Sequence, residues 1–531
     1  MPRSYLYLIS FTAALLALPV QAADRATPRV AYDSIAQLQR KMAAGTLDSH
    51  QLAQQFLQRI RRIDQSGPTL HAVIETNPDA LKLAGELDAT RAQQAKRGPL
   101  YGIPVLLKDN IDTGDRMLTT AGSLALVAAP APRDAALVTR LRKAGALILG
   151  KGNLSEWANF RSTHSSSGWS GRGGQTHNPY ALDRNPCGSS SGPAAAVAAG
   201  LTTVAIGTET DGSILCPSSM NGIVGIKPTL GLVSRSGIVP ISHNQDTAGP
   251  MARSVADAAT LLSVIAGSDP HDPATANADA HATDYTRFLD PNGLKGKRIG
   301  VVRQLGGSER HADRVLNQAI ALMKAQGATI IDPVTLPHLN QLGALENTVL
   351  LYDFKHDINA YLATRTRLPV HDLKDLIAFN KHHAAQEMPW FGQELFIQAE
   401  AKGPLTDTVY RKALAKAKRL AGPEGIDAAL KAHHLDALLA PSSGPAFTTD
   451  PILGDHILGG ASEPAAVAGY PSMSVPAGWV HGLPVGIVLF GAKWSEPTLI
   501  AIAYGFEQHA KAWQAPKFLN TVGGKPVPAG L

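Results

Sequence analysis

The chain has 531 residues, 44% of them hydrophobic and 17% charged, and a formal net charge of +6 at pH 7. This length allows two or three domains, yet no charge block, Pro/Ser linker or internal repeat divides the chain, so we expect one large α/β domain. The positive charge is spread along the sequence, and no basic run with interleaved aromatic residues occurs, so the sequence argues against nucleic-acid binding.

The first residues have the features of a secretory signal. Arg3 precedes an apolar run over 5–18, and small residues follow up to Ala22. This pattern predicts a signal peptide over 1–22, whose cleavage leaves residues 23–531 exported to the periplasm or secreted. An uncleaved membrane anchor is the alternative, but the run is shorter than the roughly 18 residues that a spanning helix needs. No later stretch is long and apolar enough to span a bilayer, so we expect no stable membrane anchor after cleavage.

The rest of the chain alternates between helical and strand patterns. Apolar residues at helical spacing predict helices over 53–63, 78–95, 134–143 and 255–266. Short apolar runs predict buried strands over 101–107, 146–149, 201–206, 298–302, 435–439, 472–475 and 485–490. Residues 312–421 have mainly helical patterns, and we interpret them as an insertion that covers the site. Helices that alternate with strands are typical of an α/β sheet.

Two turns rich in serine and glycine flank one of the predicted strands. The first has the sequence GSSSG at 188–192 and leads into a small-residue helix, with Pro193 predicted at the first helical position. The second, GTETDGS at 207–213, follows the strand predicted over 201–206. Serine runs are often solvated linkers. Each of these turns is joined directly to an apolar element, however, so we expect rigidly placed hydroxyl groups that can carry chemistry.

Several segments together resemble the amidase signature family. They are LKDN at 107–110, NLSEWANF at 153–160, GSSSG at 188–192, GS at 212–213, NGIVGIKPT at 221–229 and QDTAGPMARS at 245–254. The resemblance extends from about residue 38 to about residue 507. It implies a single α/β domain with a mixed central β-sheet covered by helices on both faces. It also implies a serine amidohydrolase that cleaves carboxamides through an acyl-enzyme and needs no cofactor or metal.

The resemblance assigns three residues to catalysis. Ser213 matches the nucleophile, and Ser189, which follows a cis peptide bond in the family, matches the residue that relays a proton to Lys108. Amide hydrolysis needs a base that activates the nucleophile. Lys108 closes a strand that we expect to be buried, where an apolar setting disfavours the ammonium form, so its amine can be neutral near physiological pH. A structural ion pair between Lys108 and Asp109 is the alternative.

The resemblance also places an oxyanion hole at the backbone N–H groups of Thr210, Asp211, Gly212 and Ser213. The sequence departs from the family pattern nearby, because Asp211 replaces a glycine and Leu215 replaces an arginine. We expect the Asp211 carboxylate to face the substrate or the base. The missing arginine weakens the case for a substrate with a free carboxylate beside the scissile amide. Both departures resemble the peptide amidase branch, whose members remove C-terminal amides from peptides.

The two cysteines of the chain, Cys187 and Cys216, each lie within three residues of a predicted catalytic serine. Two cysteines cannot form a disulfide scaffold for a chain of this size. We therefore predict buried free thiols that line the site. A bond that joins the two serine turns is the alternative, and it requires Cα atoms less than about 7 Å apart.

Two other motifs suggest different chemistry, and we reject both. GSSSG matches the nucleophile elbow of α/β hydrolases, with Ser190 as nucleophile, but that elbow follows a strand and residues 178–186 cannot form one. Residues 145–152 nearly form a phosphate loop, but a glycine stands where a serine or threonine should bind magnesium.

Two histidine pairs are the candidate metal ligands. They are His382-His383 and His433-His434, which lack metal-ligand spacing with any acidic partner. No HExxH motif occurs either, so we predict no metal site. A non-enzymatic alternative for the whole chain is an exported solute-binding protein, which would bind amides without releasing ammonia.

The expected partner is a small-molecule or peptide amide, and most specifically a peptide whose C-terminal carboxamide is hydrolysed to the free acid and ammonia. Related amidases that act on fatty-acid, aryl-alkyl or oligoamides are the alternative, and export argues against a tRNA-linked amidotransferase. Residues 157–160 and the insertion around Trp390 are predicted walls of the substrate cleft, although aromatic residues at such places are more often part of a core.

Overall fold

The computed structural model describes residue 1 and residues 30–93, 97–306 and 309–530. The predicted signal peptide therefore lies, except for Met1, outside the described residues. Within the described ranges, no helix is long and apolar enough to cross a bilayer.

The centre of the molecule is a sheet formed, among the described residues, by eleven strands. The strands of the molecule are β1 (Val73–Thr76), β2 (Pro104–Lys108), β3 (Leu147–Gly152), β4 (Trp169–Ser170), β5 (Gly174–Gln175), β6 (Val204–Glu209), β7 (Val224–Lys227), β8 (Thr247–Ala252), β9 (Arg298–Val301), β10 (Thr329–Ile331), β11 (Ala437–Pro441), β12 (Ser472–Val480) and β13 (Leu483–Phe490). The order across the sheet is β1-β3-β2-β6-β8-β7-β12-β13-β11-β9-β10, and β4 and β5 form a separate ribbon. Strand β2 is parallel to β3 and β6, and β9 is parallel to β10 and β11, while the other neighbours are antiparallel. The predicted mixed sheet is confirmed.

Helices flank the sheet, as the family resemblance implied. They are α1 (Ile35–Ala43), α2 (Ser49–Arg59), α3 (Ala80–Arg91), α4 (Ala136–Lys143), α5 (Ser191–Ala198), α6 (Leu215–Met220), α7 (Val255–Ile265), α8 (Arg310–Ala325), α9 (Leu339–Ala363), α10 (Leu373–His382), α11 (Ala384–Glu387), α12 (Glu394–Glu400), α13 (Thr408–Ala421), α14 (Asp427–His433), α15 (Glu463–Ala468) and α16 (Glu496–Ala510). Every residue of α5 is buried, which explains why its sequence contains only small and apolar residues.

Two predicted boundaries beside the site are wrong by two or three residues. Helix α5 begins at Ser191, so Pro193 is the third helical residue rather than the first. Proline is tolerated there because the N–H groups of the first turn have no acceptor within the helix. Strand β6 spans Val204–Glu209 rather than 201–206, because it pairs with β8 as far as Glu209, opposite Thr247.

The structure differs from the predicted helical insertion over 312–421 in the first part of that segment. Helix α8 buries Leu316 and Met323 in the core beneath the sheet, and β10 pairs in parallel with β9 at the sheet edge. The sequence pattern does not distinguish a helix that packs against the sheet from a helix that packs against other helices, because each of them buries one apolar face. The helices that stand apart from the sheet begin with α9.

Helices α9, α10 and α12 share a second apolar core with the segment that contains Trp157 and Phe160. The ring centroids of Trp157 and Phe396 are 5.7 Å apart, and those of Phe160 and Phe354 are 5.1 Å apart. Aromatic pairs at these separations add to the free energy gained from burial of their surfaces. This packing positions α9 beside the serine turns.

Candidate active site

Lys108 lies at the edge of the sheet where β2 and β6 both end. The two strands are parallel and pair Leu107 with Ile206, so Lys108 is level with Gly207, and its side chain reaches Thr208, the next residue of β6. The Lys108 side chain is fully buried. Its Nζ atom is 2.7 Å from Ser189 Oγ, 2.8 Å from Thr208 Oγ1 and 3.2 Å from the Thr208 carbonyl oxygen.

The buried position of Lys108 changes the pKa of its amine. Burial lowers the pKa of Lys108 to about 7, because the interior penalises the ammonium ion more than the neutral amine, while the charges of Asp246 and Glu209 oppose this more weakly. A neutral amine has two hydrogens and one lone pair. It can donate to the two oxygens of Thr208 and direct its lone pair at Ser189. The geometry therefore allows Lys108 to accept a proton from the Ser189 hydroxyl.

The turn that contains Ser189 is held against the turn that contains Ser213. The Gly188–Ser189 peptide bond is cis, as the resemblance implied. A Cβ atom on Gly188 would lie 2.1 Å from the Ser155 hydroxyl, so a side chain at this position would have to displace that hydroxyl. The Ser190 N–H donates to the Ser213 carbonyl oxygen at 3.1 Å, and the Ser190 hydroxyl donates to the Thr208 carbonyl oxygen at 3.0 Å. Ser190 therefore joins the two turns.

A disulfide bond joins Cys187 to Cys216, so the prediction of free thiols is wrong. The two Cα atoms are 5.9 Å apart, which is within the range for a bond. The sequence could not supply this distance, because it depends on how two turns separated by 29 positions pack together. In the chain-entropy account, a cross-link that closes a loop of this length stabilises the fold by about 3 to 4 kcal/mol.

Ser213 lies in a tight turn between β6 and α6. Gly212 has a φ of +77°, a left-handed conformation in which a side chain would be strained. Glu209, the last residue of β6, accepts the N–H groups of Ile214 at 2.7 Å and Leu215 at 2.9 Å. Its carboxylate therefore binds the N-terminal end of α6 and fixes the shape of the turn.

The backbone of this turn presents N–H groups that no protein acceptor uses. Within the part of the chain that the structure describes, the N–H groups of Asp211, Gly212 and Ser213 donate to no other residue. The Thr210 hydroxyl, at the start of the turn, donates to Asp246 Oδ1 at 2.6 Å. Unused donors at a rigid turn can stabilise a negative charge that develops on a bound ligand.

A cavity of about 280 Å³ opens onto this turn. Ser213 lines the cavity and is 8% exposed, whereas Ser189 and Lys108 are fully buried. A ligand in the cavity therefore reaches Ser213 first, with Ser189 and Lys108 behind it. The catalytic roles of the three residues stay predictions.

The walls of the Ser213 cavity match the predicted walls only in part. Residues 158–160 line the cavity, and Leu350 of α9 lines it as well. Trp157 is instead buried in the second apolar core. Trp390 is 47% exposed and is not among the described lining residues.

Asp211 also lines the Ser213 cavity, and its surroundings are acidic. Burial raises the pKa of Asp211, and burial together with the charge of Asp211 raises the pKa of Glu346 in α9 well above its usual range. The pKa of Glu463 is raised to about 7, first by burial and then by Asp211. Asp211, Glu346 and Glu463 therefore form a group of carboxyls that binds protons more readily than exposed carboxyls do.

A second cavity, of about 370 Å³, reaches the surroundings of Lys108 from another direction. Asn110, Thr208 and Asp246 line it. Asp246 accepts the N–H groups of two loop residues, 241 and 242, at 2.8 and 2.9 Å, and burial raises its pKa to about 6. Its charge acts on Lys108 without a direct hydrogen bond.

His243, His356 and Asp357 lie close enough together to share a metal ion. An Asp357 oxygen is 2.9 Å from His243 Nδ1, and the other is 2.8 Å from His356 Nδ1. These contacts are hydrogen bonds, and Asp357 raises the pKa of His243. The prediction of no metal site was argued from other histidines, so it stays a prediction.

A family model describes most of the chain. The model of the amidase family matches residues 52–500. The chain belongs to the amidase signature family. Its activity is therefore that of a hydrolase that acts on amide C–N bonds.

Similar amidases cover almost the whole chain. "Probable amidase" of Arabidopsis thaliana is 44% identical over 483 residues, which is 89% of this chain and 89% of that protein. A glutamyl-tRNA(Gln) amidotransferase subunit of Carboxydothermus hydrogenoformans is 35% identical over 502 residues, or 91% of this chain and 98% of that protein. The solved structure of native peptide amidase from Stenotrophomonas maltophilia is 54% identical, has a TM-score of 0.89 and covers 92% of this chain and 99% of its own.

The amidase signature motifs predicted roles for Lys108, Ser189 and Ser213 but not for the residues that hold Lys108 in place. Thr208 gives two oxygens to Lys108 Nζ and accepts a hydrogen bond from Asn110 Nδ2 at 3.0 Å. Both residues lie within or beside segments that the motif analysis singled out. The motifs therefore contain both residues, but the sequence does not show that the two segments are in contact.

Proposed function

We propose that this amidase hydrolyses the C-terminal carboxamide of peptides to the free acid and ammonia, with Ser213 as nucleophile, Ser189 as proton relay and Lys108 as base. The observation that carries the proposal is the 2.7 Å separation between the buried Lys108 Nζ and Ser189 Oγ. The pKa of Lys108 near 7 supports a neutral amine at physiological pH.

In the first half of the reaction, the Ser213 hydroxyl attacks the carboxamide carbon. Its proton passes to Ser189, and the Ser189 proton passes to the neutral amine of Lys108. The charge that develops on the amide oxygen is stabilised by the N–H groups at 210–213. The proton then returns through Ser189 to the amide nitrogen, the C–N bond breaks, and ammonia leaves an acyl-enzyme on Ser213.

In the second half, a water molecule attacks the ester carbon of the acyl-enzyme. Its proton takes the same route through Ser189 to Lys108, and the N–H groups at 210–213 again stabilise the oxyanion. When the ester bond breaks, the proton returns to Ser213. The free acid is released, and all three side chains are restored to their starting states.

The choice of a peptide amide rests on similarity and on the charges of the cavity. A peptide amidase solved with the competitive inhibitor chymostatin is 55% identical to this chain and has a TM-score of 0.89. Among its described lining residues, the Ser213 cavity has no lysine or arginine, and Leu215 stands where the family pattern has an arginine. Such a cavity suits a neutral carboxamide.

We also propose that the protein is exported after removal of residues 1–22. The bond between Cys187 and Cys216 supports this, because disulfides persist in oxidising compartments. Purified from cells that express the full-length gene, the mature protein should begin at Ala23, as N-terminal sequencing would show. Recovery of the intact N-terminus from the cytoplasm would contradict export.

Replacement of Ser213 by alanine should lower kcat at least about 1,000-fold, because the nucleophile is lost. Ser189→Ala and Lys108→Ala should each lose most of the activity, and the losses should not add, since the three groups act as one unit. Ser472→Ala is a matched control, because the Ser472 hydroxyl is buried outside the cavity and has no partner among the described residues. If Ser213→Ala keeps more than about a thousandth of the wild-type activity, Ser213 is not the nucleophile.

The value of kcat/KM should fall about tenfold per pH unit below about pH 7, because the ammonium form of Lys108 cannot accept a proton. Asp246→Asn removes a negative charge that raises the pKa of Lys108, so this acid limb should move to lower pH. The difference should appear above about pH 6, where Asp246 is ionised.

Rate measurements between pH 4 and pH 9 test both effects. Glu424→Gln is the control, because Glu424 pairs with Arg419 at the surface, and it should leave the pH profile unchanged. A wild-type rate that stays flat from neutrality to pH 4, or an Asp246→Asn limb that moves to higher pH, would contradict Lys108 as the base.

A peptide amide should yield one equivalent of ammonia and the intact free acid, and the same peptide offered as free acid should not change. We propose as the physical reason that the cavity walls leave room for an amino leaving group and not for a further residue. Mass spectrometry of the products, together with an ammonia assay, tests this. Internal cleavage of the free acid, or a clear preference for a long-chain fatty amide, would favour the alternative amidase activities.

A further inference from the structure

Four large aliphatic side chains are exposed close together on the loop that follows β11. They are Ile452 (69% exposed), Leu453 (68%), Ile457 (47%) and Leu458 (51%). We name residues 451–458 the apolar lip. Single exposed aliphatic side chains are common on protein surfaces, but four of them within seven residues make this loop a candidate interaction surface.

Hydrogen bonds hold the apolar lip in place. Asp450 Oδ1 accepts the N–H groups of residues 452 and 453, both at 2.9 Å. Asp455 accepts the Ser167 N–H at 2.8 Å, and Ser167 lines the same cavity as Ser213. The exposed side chains are therefore presented by a hydrogen-bonded loop that is attached to the wall of the active-site cavity.

The surface of the apolar lip continues into that cavity. Ile457 is exposed at the surface and also lines the Ser213 cavity. The next lining residues are two glycines at 459–460, which add no side chains to the wall. Phe160, Ile241 and Leu350 add apolar surface to the same cavity. A chain that leaves the cavity along this wall comes directly to the apolar lip.

The position of the substrate follows from the proposed function, on which this inference rests. With the C-terminal carboxamide at Ser213, a cavity of about 280 Å³ holds the amidated residue, and the preceding residues of the peptide extend out of it. We propose that the apolar lip binds apolar side chains of these preceding residues, so that the enzyme selects peptide amides with apolar residues there. The gain comes from removal of apolar surface from water on both partners.

The test compares two tripeptide amides that differ only in the residue before the amidated one, leucine in one and serine in the other. The enzymes are the wild type, Ile457→Ser and the double variant Ile452→Ser/Leu453→Ser. The controls are Ile397→Ser and Val409→Ser, because Ile397 and Val409 are exposed to similar extents, 51% and 64%, outside the lip and the cavity lining. Thermal unfolding of each variant verifies that it is folded, as surface changes normally allow.

Wild type and controls should prefer the leucine peptide, and this preference, measured as a ratio of kcat/KM values, should fall about tenfold in the lip variants. An unchanged ratio in active lip variants would overturn the lip assignment alone. A wild type that hydrolyses neither peptide would overturn the proposed function and the lip assignment with it. A wild-type dimer that dissociates in the lip variants, with the ratio unchanged, would assign the patch to a second copy of the chain and also overturn the proposal.

Discussion

The burial of one primary amine constrains the whole site. Lys108 is fully buried at the end of β2, and the hydrogen-bond partners of its Nζ are hydroxyl and carbonyl oxygens rather than carboxylates. The interior therefore removes the charge of the amine instead of neutralising it with a counter-ion. At an exposed strand end, the same lysine would stay protonated at physiological pH and could not act as a base. The basicity proposed for Lys108 depends on the sheet that excludes water from it.

The serine turns are positioned by several independent links, and each link has a different physical origin. The Ser190 N–H bonds to the Ser213 carbonyl oxygen, and the bond between Cys187 and Cys216 joins the same two turns covalently. Glu209 fixes the far side of the second turn by accepting two N–H groups at the start of α6. The proposed proton relay needs hydroxyl groups held to within about half an ångström, and several independent links between the turns favour that precision.

Different parts of the molecule supply the groups proposed for catalysis and the walls of the cavity. The groups proposed for bond cleavage come from the ends of β2 and β6 in the central sheet and from the two serine turns beside them. The cavity walls come from α9 and from the loop at 449–460, which lie far from the serine turns in the sequence. Peptide amidase and the tRNA amidotransferase share this family although they are named for different substrates. Walls built from peripheral segments explain how one sheet can serve several substrates.

The sequence by itself determined the α/β class and most helices and strands, and it predicted catalytic roles for Lys108, Ser189 and Ser213, because short motifs and local periodicity carry that information. Only the tertiary structure decided how distant segments meet. It joined Cys187 to Cys216, which the sequence had led us to regard as free thiols. It also paired β10 with β9 in the main sheet and packed α8 in the core beneath that sheet. It also placed Glu346 beside Asp211. Local sequence specifies the preferred conformation of a segment, whereas the separation of two Cα atoms or two carboxyls depends on the packing of whole elements.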